Sequence, residues 1–214
     1  QFDFPVTAIR TSMLRRANLS RYQVLILPVG RGSAYESALG EEGVARLRDW
    51  VDAGGVLISL GSATQLLADP DVDLLAIRRE EAVVEVEIEK EETDGATVAG
   101  SYITSDSEYR DAIVSVTGAP DSVAGVLVRA EADQEHWLTA GIAPELHVLA
   151  RGSDIYTPIR FDNGSNVVRF KGPDELVASG YLWEENKRQL AYKPAVVSQA
   201  VGAGQVIGFT QDPT

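Results

Sequence analysis

The sequence predicts an α/β domain with a mainly parallel sheet and a β-rich insertion. Three observations predict it. The first third alternates short apolar runs with a segment of helical spacing, the order that builds parallel strands and crossover helices. From about residue 78 to 175 that alternation gives way to short β-like runs. The last quarter returns to apolar runs separated by glycine. No internal repeat or low-complexity linker interrupts the 214 residues, so residues 1–214 read as one domain, large enough to bury a core without staples.

The elements follow in order. Phe4 to Ile9 predicts a short strand. Tyr22 to Leu27 (YQVLIL) is a continuous apolar run closed by Pro28 and Gly30, which suits a strand buried on both faces. A helix is expected from about Gly40: in EEGVARLRDWVDAGG, Val44, Leu47, Trp50 and Val51 fall at helical spacing, acids fill the first turn, and Gly54-Gly55 gives the stop. Val56 to Leu60 is the next strand, followed by a Gly-Ser-Ala-Thr corner and a further helical stretch. In EEAVVEVEIEKEE, Ala82, Val84, Val86 and Ile88 alternate with a mostly acidic face, which predicts a half-exposed edge strand. Beyond it, GVLVRAEA, HVLARG, YTPIRF, NVVRFKG and LVASGYL read as short β segments, and PAVVSQAVGAGQVIGFTQDP as strand, glycine turn, strand.

Composition excludes several function classes. The absence of cysteine removes disulfides, thiolate metal sites and a cysteine nucleophile together. A formal net charge of −13 opposes binding to nucleic-acid phosphates and to anionic membrane surfaces. No apolar run approaches the ~20 residues that span a bilayer, so no membrane insertion is expected. The N-terminal QFDFPVTAIR has no signal-peptide pattern, so the signal of an exported parent would lie upstream.

The candidate chemistry centres on the corner. A hydrolase nucleophile needs a strained turn with small neighbours, usually G-x-S-x-G, and Leu60-Gly61-Ser62-Ala63-Thr64 offers Ser62 in a different frame. Its general base would have to be His136 or His147; the plainer reading is a helix-capping serine. Those histidines lie eleven positions apart in HWLTAGIAPELH, which is not a zinc-ligand spacing, so no metal site is expected. Gly30 and Gly32 in LPVGRGSAY could present backbone N–H groups to an anion, but G-x-G-x-x-G and a Walker lysine are both missing.

The order of strand, "LPVGRG" loop, helix ending in "WVDAGG", strand and "SLGSATQLL" resembles the class I glutamine amidotransferase-like fold, a flavodoxin-like, doubly wound sheet. Setting Gln65-Leu66-Leu67 against the helix start of active members places Gly61 where their cysteine stands. Asp212-Pro213-Thr214 takes the place of their His-Pro-Glu. The resemblance therefore implies a degenerate elbow at Gly61 and Ser62, a degenerate base position at Asp212, and a retained glycine loop at Gly30-Arg31-Gly32.

A second resemblance rests on "YQVLILPVG", "LRDWVDAGGVLISLGSAT", "GVLVRAEADQEHWLTAGI" and the stretch from Ser179 to Thr214. These look like the amidotransferase-like domain appended to a group of bacterial zinc carboxypeptidases, with His136-Trp137-Leu138-Thr139 where that family has His-Pro-Leu-Thr. It implies a fold that begins one strand and one helix earlier, an upstream peptidase domain as partner, and secretion or a periplasmic location. It also implies no cofactor in this chain, zinc being confined to the peptidase domain.

The expected function is a non-catalytic accessory or interaction domain of such a peptidase, with homo-oligomerisation as a further possibility. The alternative is a small-ligand module for sugar or peptide, lined by Gly30, Gly32, Ser62, Ala63, Trp183 and Glu184 at the carboxyl ends of the strands. A diverged serine hydrolase using Ser62 is the third reading.

Overall fold

The computed structural model describes residues 5–30, 32–83, 104–105 and 120–213. A short helix, α1 (Thr11–Leu14), leads to strand β1 (Val24–Leu27), the long helical segment α2 (Gly32–Asp52) and strand β2 (Val56–Leu60). A 3-10 turn, Gly61–Ala63, opens directly into α3 (Thr64–Ala68). Then come β3 (Val123–Ala132), β4 (Glu145–Gly152), β5 (Ser165–Phe170), α4 (Pro173–Leu176) and β6 (Val177–Ser179). Helix α5 (Glu184–Leu190) precedes the terminal pair β7 (Pro194–Val201) and β8 (Gly204–Phe209).

All eight described strands join one sheet, in the order β1-β2-β8-β7-β5-β3-β4, with β6 added to β3. The expectation of a mainly parallel, doubly wound sheet needs correction. Only the β1–β2 and β2–β8 pairings are parallel; β7–β8, β5–β7, β3–β5, β3–β4 and β3–β6 are antiparallel, so the sheet is mixed. The terminal pair shows the physical reason. Parallel neighbours need a crossover of about a dozen residues or more, whereas β7 and β8 are joined only through Gly202 and Ala203 and must run antiparallel. Gly202 has φ +57, and a Cβ there would sit 2.6 Å from Asp52 Oδ1, so the turn can wedge under the end of α2 only as glycine.

Helix α2 is two helices in one. Gly40 breaks it with φ 60 and ψ 178, so the segment expected to begin near Gly40 exists, and a preceding segment after Gly32 escaped the pattern because its apolar spacing is sparse. Leu39, Leu47 and Val51 bury its inner stripe against Leu57 of β2 and Val206 of β8. With Leu67, Leu74, Leu75 and Ile77 they form the first core cluster, each buried side chain contributing about 1.5–3 kcal/mol. The second cluster lies under the antiparallel part and includes Val128, Ala130, Val167, Phe170 and Leu176.

Two expected strands are not strands. Residues 5–9 form no strand, although Ile9 packs on the first core. YTPIRF contributes only an isolated bridge, Arg79 to Tyr156, because Tyr156 turns into the core while Pro158 removes a ladder donor. The acidic alternating segment lies outside the described residues beyond Val83.

One face of β1 is half exposed: Leu27 is buried, but Val24 and Ile26 on the opposite face are 48% and 53% exposed, and among the described strands β1 lies at the end of the sheet. An aliphatic strand in a parallel pair is normally covered on both faces.

Candidate functional site

The elbow forms where β2 runs into its 3-10 turn. Gly61 holds φ +54, the left-handed conformation that a side-chain-bearing nucleophile would occupy only under strain. A Cβ at Gly61 would lie 3.3 Å from Val29 Cγ2 and 3.4 Å from the backbone nitrogen of Asp212. The sharp turn is therefore retained, with no side chain on it.

Ser62 follows in the same turn, and its hydroxyl donates to the Gly30 carbonyl at 3.0 Å. No imidazole serves it among the described residues. His136 caps the 3-10 turn Trp137–Thr139, its Nδ1 accepting from the Leu138 N–H at 3.2 Å and its ring stacking on Trp137. His147 is exposed on β4, opposite Arg129 of β3. The serine ties the turn to the glycine loop instead of facing a base.

The loop itself closes on its neighbours. A Cβ on Gly30 would press the Tyr35 ring at 3.0 Å, and one on Gly32 would meet Gln65 Cβ at 3.0 Å. Tyr35 donates its hydroxyl to the Pro28 carbonyl at 2.9 Å, and burial holds its phenol above the ordinary tyrosine value. Ala63 is fully buried beneath the turn and does not line a crevice. Thr64 donates to the Phe209 carbonyl at 2.8 Å and pairs with the Ser59 hydroxyl at 2.9 Å, fastening the helix start to β8 and β2.

Residues that sequence reasoning passed over complete the cluster. The carboxylate of Asp154 accepts from Gln65 Nε2 at 2.7 Å and pairs with Arg79 Nε at 2.8 Å. Gln211, next to Asp212, accepts from the Arg151 N–H at 2.9 Å and donates to the Asp154 carbonyl at 3.4 Å. The loop after β4 is thus locked over the carboxyl ends of β2 and β8. Beside it, Arg151, Asp154, Asn186 and Gln211 line a cavity of about 10 Å³, room for roughly one water. The Tyr156 hydroxyl is buried without a hydrogen-bond partner among the described residues. Burial first, then the Asp154 charge, pushes its phenol well above the usual range, against an opposing pull from Arg79.

The structure therefore brings Gly30, Gly32, Gly61, Ser62 and the backbone of Asp212 into one neighbourhood. Trp183 and Glu184 are engaged elsewhere. The Trp183 ring stands edge-on to Tyr181 at 5.2 Å, and Glu184 pairs with Lys187 and Arg188 on α5. Among the described residues, no group of three or more His, Asp or Glu side chains is placed to hold a metal ion, and no helix is long and apolar enough to cross a membrane.

No protein-family model matches the sequence, and no curated protein does. Solved structures do. A cytoplasmic protein of Salmonella typhimurium LT2 matches at TM-score 0.51 and 11% identity, over 95% of this chain and 69% of that one. A ThuA-like protein of Parabacteroides merdae matches at TM-score 0.51 and 14% identity, over 91% of this chain and 61% of that one. A cold-adapted β-galactosidase of Rahnella sp. R3 matches at TM-score 0.51 and 13% identity, over 94% of this chain. The chain spans about a fifth of the β-galactosidase length, 22%.

These neighbours overturn the expected kinship with zinc carboxypeptidases, since ThuA-like proteins and β-galactosidase domains stand where that family was expected. Gly54 at φ +112 and Gly61 at φ +54 are set by the turns they make, so glycines at these places follow from the fold and do not mark that family. The expectations of an upstream peptidase partner and of export rested on that kinship and lose their support with it. What the likeness does establish, at 11–14% identity, is the fold: an α/β, amidotransferase-like sheet shared with ThuA-like proteins.

Proposed function

We propose that this chain is a non-catalytic accessory or interaction domain that keeps the amidotransferase-like elbow as scaffold. The observation that carries the reading is Gly61 at φ +54, a nucleophile turn with no side chain, beside a serine whose hydroxyl is committed to a backbone carbonyl. Acyl transfer needs a nucleophile hydrogen-bonded to a base that is itself oriented. Ser62 has the turn without the base. Around it, Gln65, Asp154, Arg79 and Gln211 pair with one another, so the groups that would bind a substrate bind the protein.

The contact surface in this reading is the side of β1 that carries the half-exposed Val24 and Ile26, beside an edge that no described strand pairs. An unpaired, apolar strand edge is a template for pairing with another segment. The small-ligand alternative at the elbow is less favoured, because the Ser62 hydroxyl is spent on the Gly30 carbonyl and Ala63 is fully buried.

The test is a direct assay of the purified chain for glutaminase, amidase and esterase turnover. The expected rate equals that of the Ser62→Ala variant, within background. Turnover abolished by that substitution would overturn the proposal.

A further inference from the structure

On the far side of the sheet from the second core, the antiparallel strands carry a groove. Glu131 on β3 lies opposite Glu145 on β4 and opposite Arg169 on β5, so the three side chains share one face. Alternation sends Ala130, Ala132, Val168 and Phe170 to the other face and into the core. The groove consists of two hollows of about 620 and 280 Å³ that share Glu131, Arg169 and Lys171. Phe161 lines one end, and its side chain is 101% exposed. Tyr192 lines the other, 60% exposed and held at φ +64.

A solvated strand face accounts for the charges but not for the aromatic ring at each end. Phenylalanine left wholly in water gains nothing from folding, and a tyrosine in the left-handed region carries strain of the kind that collects at ligand sites. Gly172 leaves room for the Tyr192 ring, since a Cβ there would come within 2.5 Å of its hydroxyl oxygen.

We propose that this groove binds a neutral oligosaccharide, with Phe161 and Tyr192 as stacking platforms and Glu131, Glu145, Arg169 and Lys171 bonding to sugar hydroxyls. A sugar ring offers an apolar C–H face to an aromatic and a rim of donors and acceptors to polar neighbours, the combination that the groove supplies. The polar side chains are paired at the surface, Arg169 with Glu131 and Lys171 with Glu145 and Glu175. Exposed pairs of this kind hold weakly and exchange readily for ligand hydroxyls. An anionic ligand meets Glu131, Asp133, Glu145, Asp174 and Glu175, and a cationic one competes with Arg169 and Lys171 for the carboxylates of Glu131, Glu145 and Glu175; a neutral ligand is not repelled and need not displace either cation. Two platforms at opposite ends call for a chain of several sugars rather than one. The site is separate from the elbow and does not depend on the reading above.

The experiment titrates the full chain with maltohexaose, cellohexaose and xylohexaose, followed by amide chemical shifts and calorimetry. One of the three is expected to bind, with shifts confined to β3, the start of β4, β5 and the segments that carry Phe161, Lys171 and Tyr192. Phe161→Ala should weaken that binding by about tenfold, or about 1.4 kcal/mol, with unchanged thermal melting because the ring lies outside both cores. Tyr192→Gly should weaken binding too while relieving the backbone, which separates loss of a platform from loss of the fold. Absence of binding by all three sugars at millimolar concentration overturns the proposal, as does binding that both variants retain. Displacement of the sugar by a charged peptide from the same amides would overturn the ligand class.

Discussion

Asp154 reaches back eighty-nine residues to accept a hydrogen bond from Gln65 at 2.7 Å. Its second carboxylate oxygen pairs with Arg79 at 2.8 Å, so one side chain, only 17% exposed, joins the elbow helix, the chain beyond the first core and the loop after β4. Asp154→Ala should cost about 1–3 kcal/mol, the penalty for stranding part-buried donors, measured by urea unfolding. Arg79→Ala should cost less, since the arginine is 43% exposed and water can replace it. Equal losses in the two variants would mean that the ion pair, not the Gln65 bond, carries the lock.

The elbow makes a prediction of the same sign, from different causes, for two adjacent residues. Gly61→Ala forces a Cβ into the left-handed region and against Val29 and Asp212, and should destabilise the chain by about 1–2 kcal/mol. Ser62→Ala removes one hydrogen bond to the Gly30 carbonyl and should cost about 0.5–1.5 kcal/mol without changing any hydrolytic rate. Thermal melts of the two variants, with assays run in parallel, check both.

Tyr156 supplies a pH dependence. An unfolded tyrosine ionises near pH 10, whereas burial and Asp154 keep this phenol protonated in the folded chain to higher pH. The folded state binds the proton more tightly, so its contribution is whole below about pH 10 and is lost as the pH climbs towards the folded value. Tyr35 adds a change of the same sign. Tyr156→Phe should flatten part of that alkaline loss. At pH 7 it should be neutral or slightly stabilising, by up to about 1 kcal/mol, because it deletes a buried hydroxyl that has no partner among the described residues. Denaturant midpoints at pH 7 and above pH 10 decide the matter.

At the sheet edge, Ile26→Lys should leave the melting temperature of the isolated chain almost unchanged, since the residue is half in water. Light scattering of wild type at rising concentration, with and without candidate partner segments, should show association that the lysine abolishes. Association unaffected by Ile26→Lys and Val24→Lys would move the contact surface elsewhere.

The parallel third of the fold was legible because its signals are local: YQVLIL, WVDAGG and VLISL each carry their own periodicity or stop. The corner at Gly61 was legible for the same reason, since a glycine between a strand and a helix has few other uses. The mixed sheet was not, because nothing in NVVRF or GVLVRAEA says whether its neighbour runs with it or against it. Asp154 was invisible altogether. In "RGSDIY" it is one acid among thirty-two, and only tertiary structure brings it to Gln65 and Arg79. The kinship misreading has the same root, as motifs imposed by turn geometry recur wherever the turn recurs.

The register of β2 against β8 sets the order in which this chain can fold. Ile58 pairs with Ile207, a residue made long after it, so the central strand of the parallel unit waits for its second neighbour. Until it emerges, β2 has β1 on one side and an empty aliphatic edge on the other. High separation between pairing partners slows folding, and an edge that waits is exposed to other chains. Synthesis speed and chaperone supply, rather than final stability, should therefore govern how much of the protein is recovered in native form.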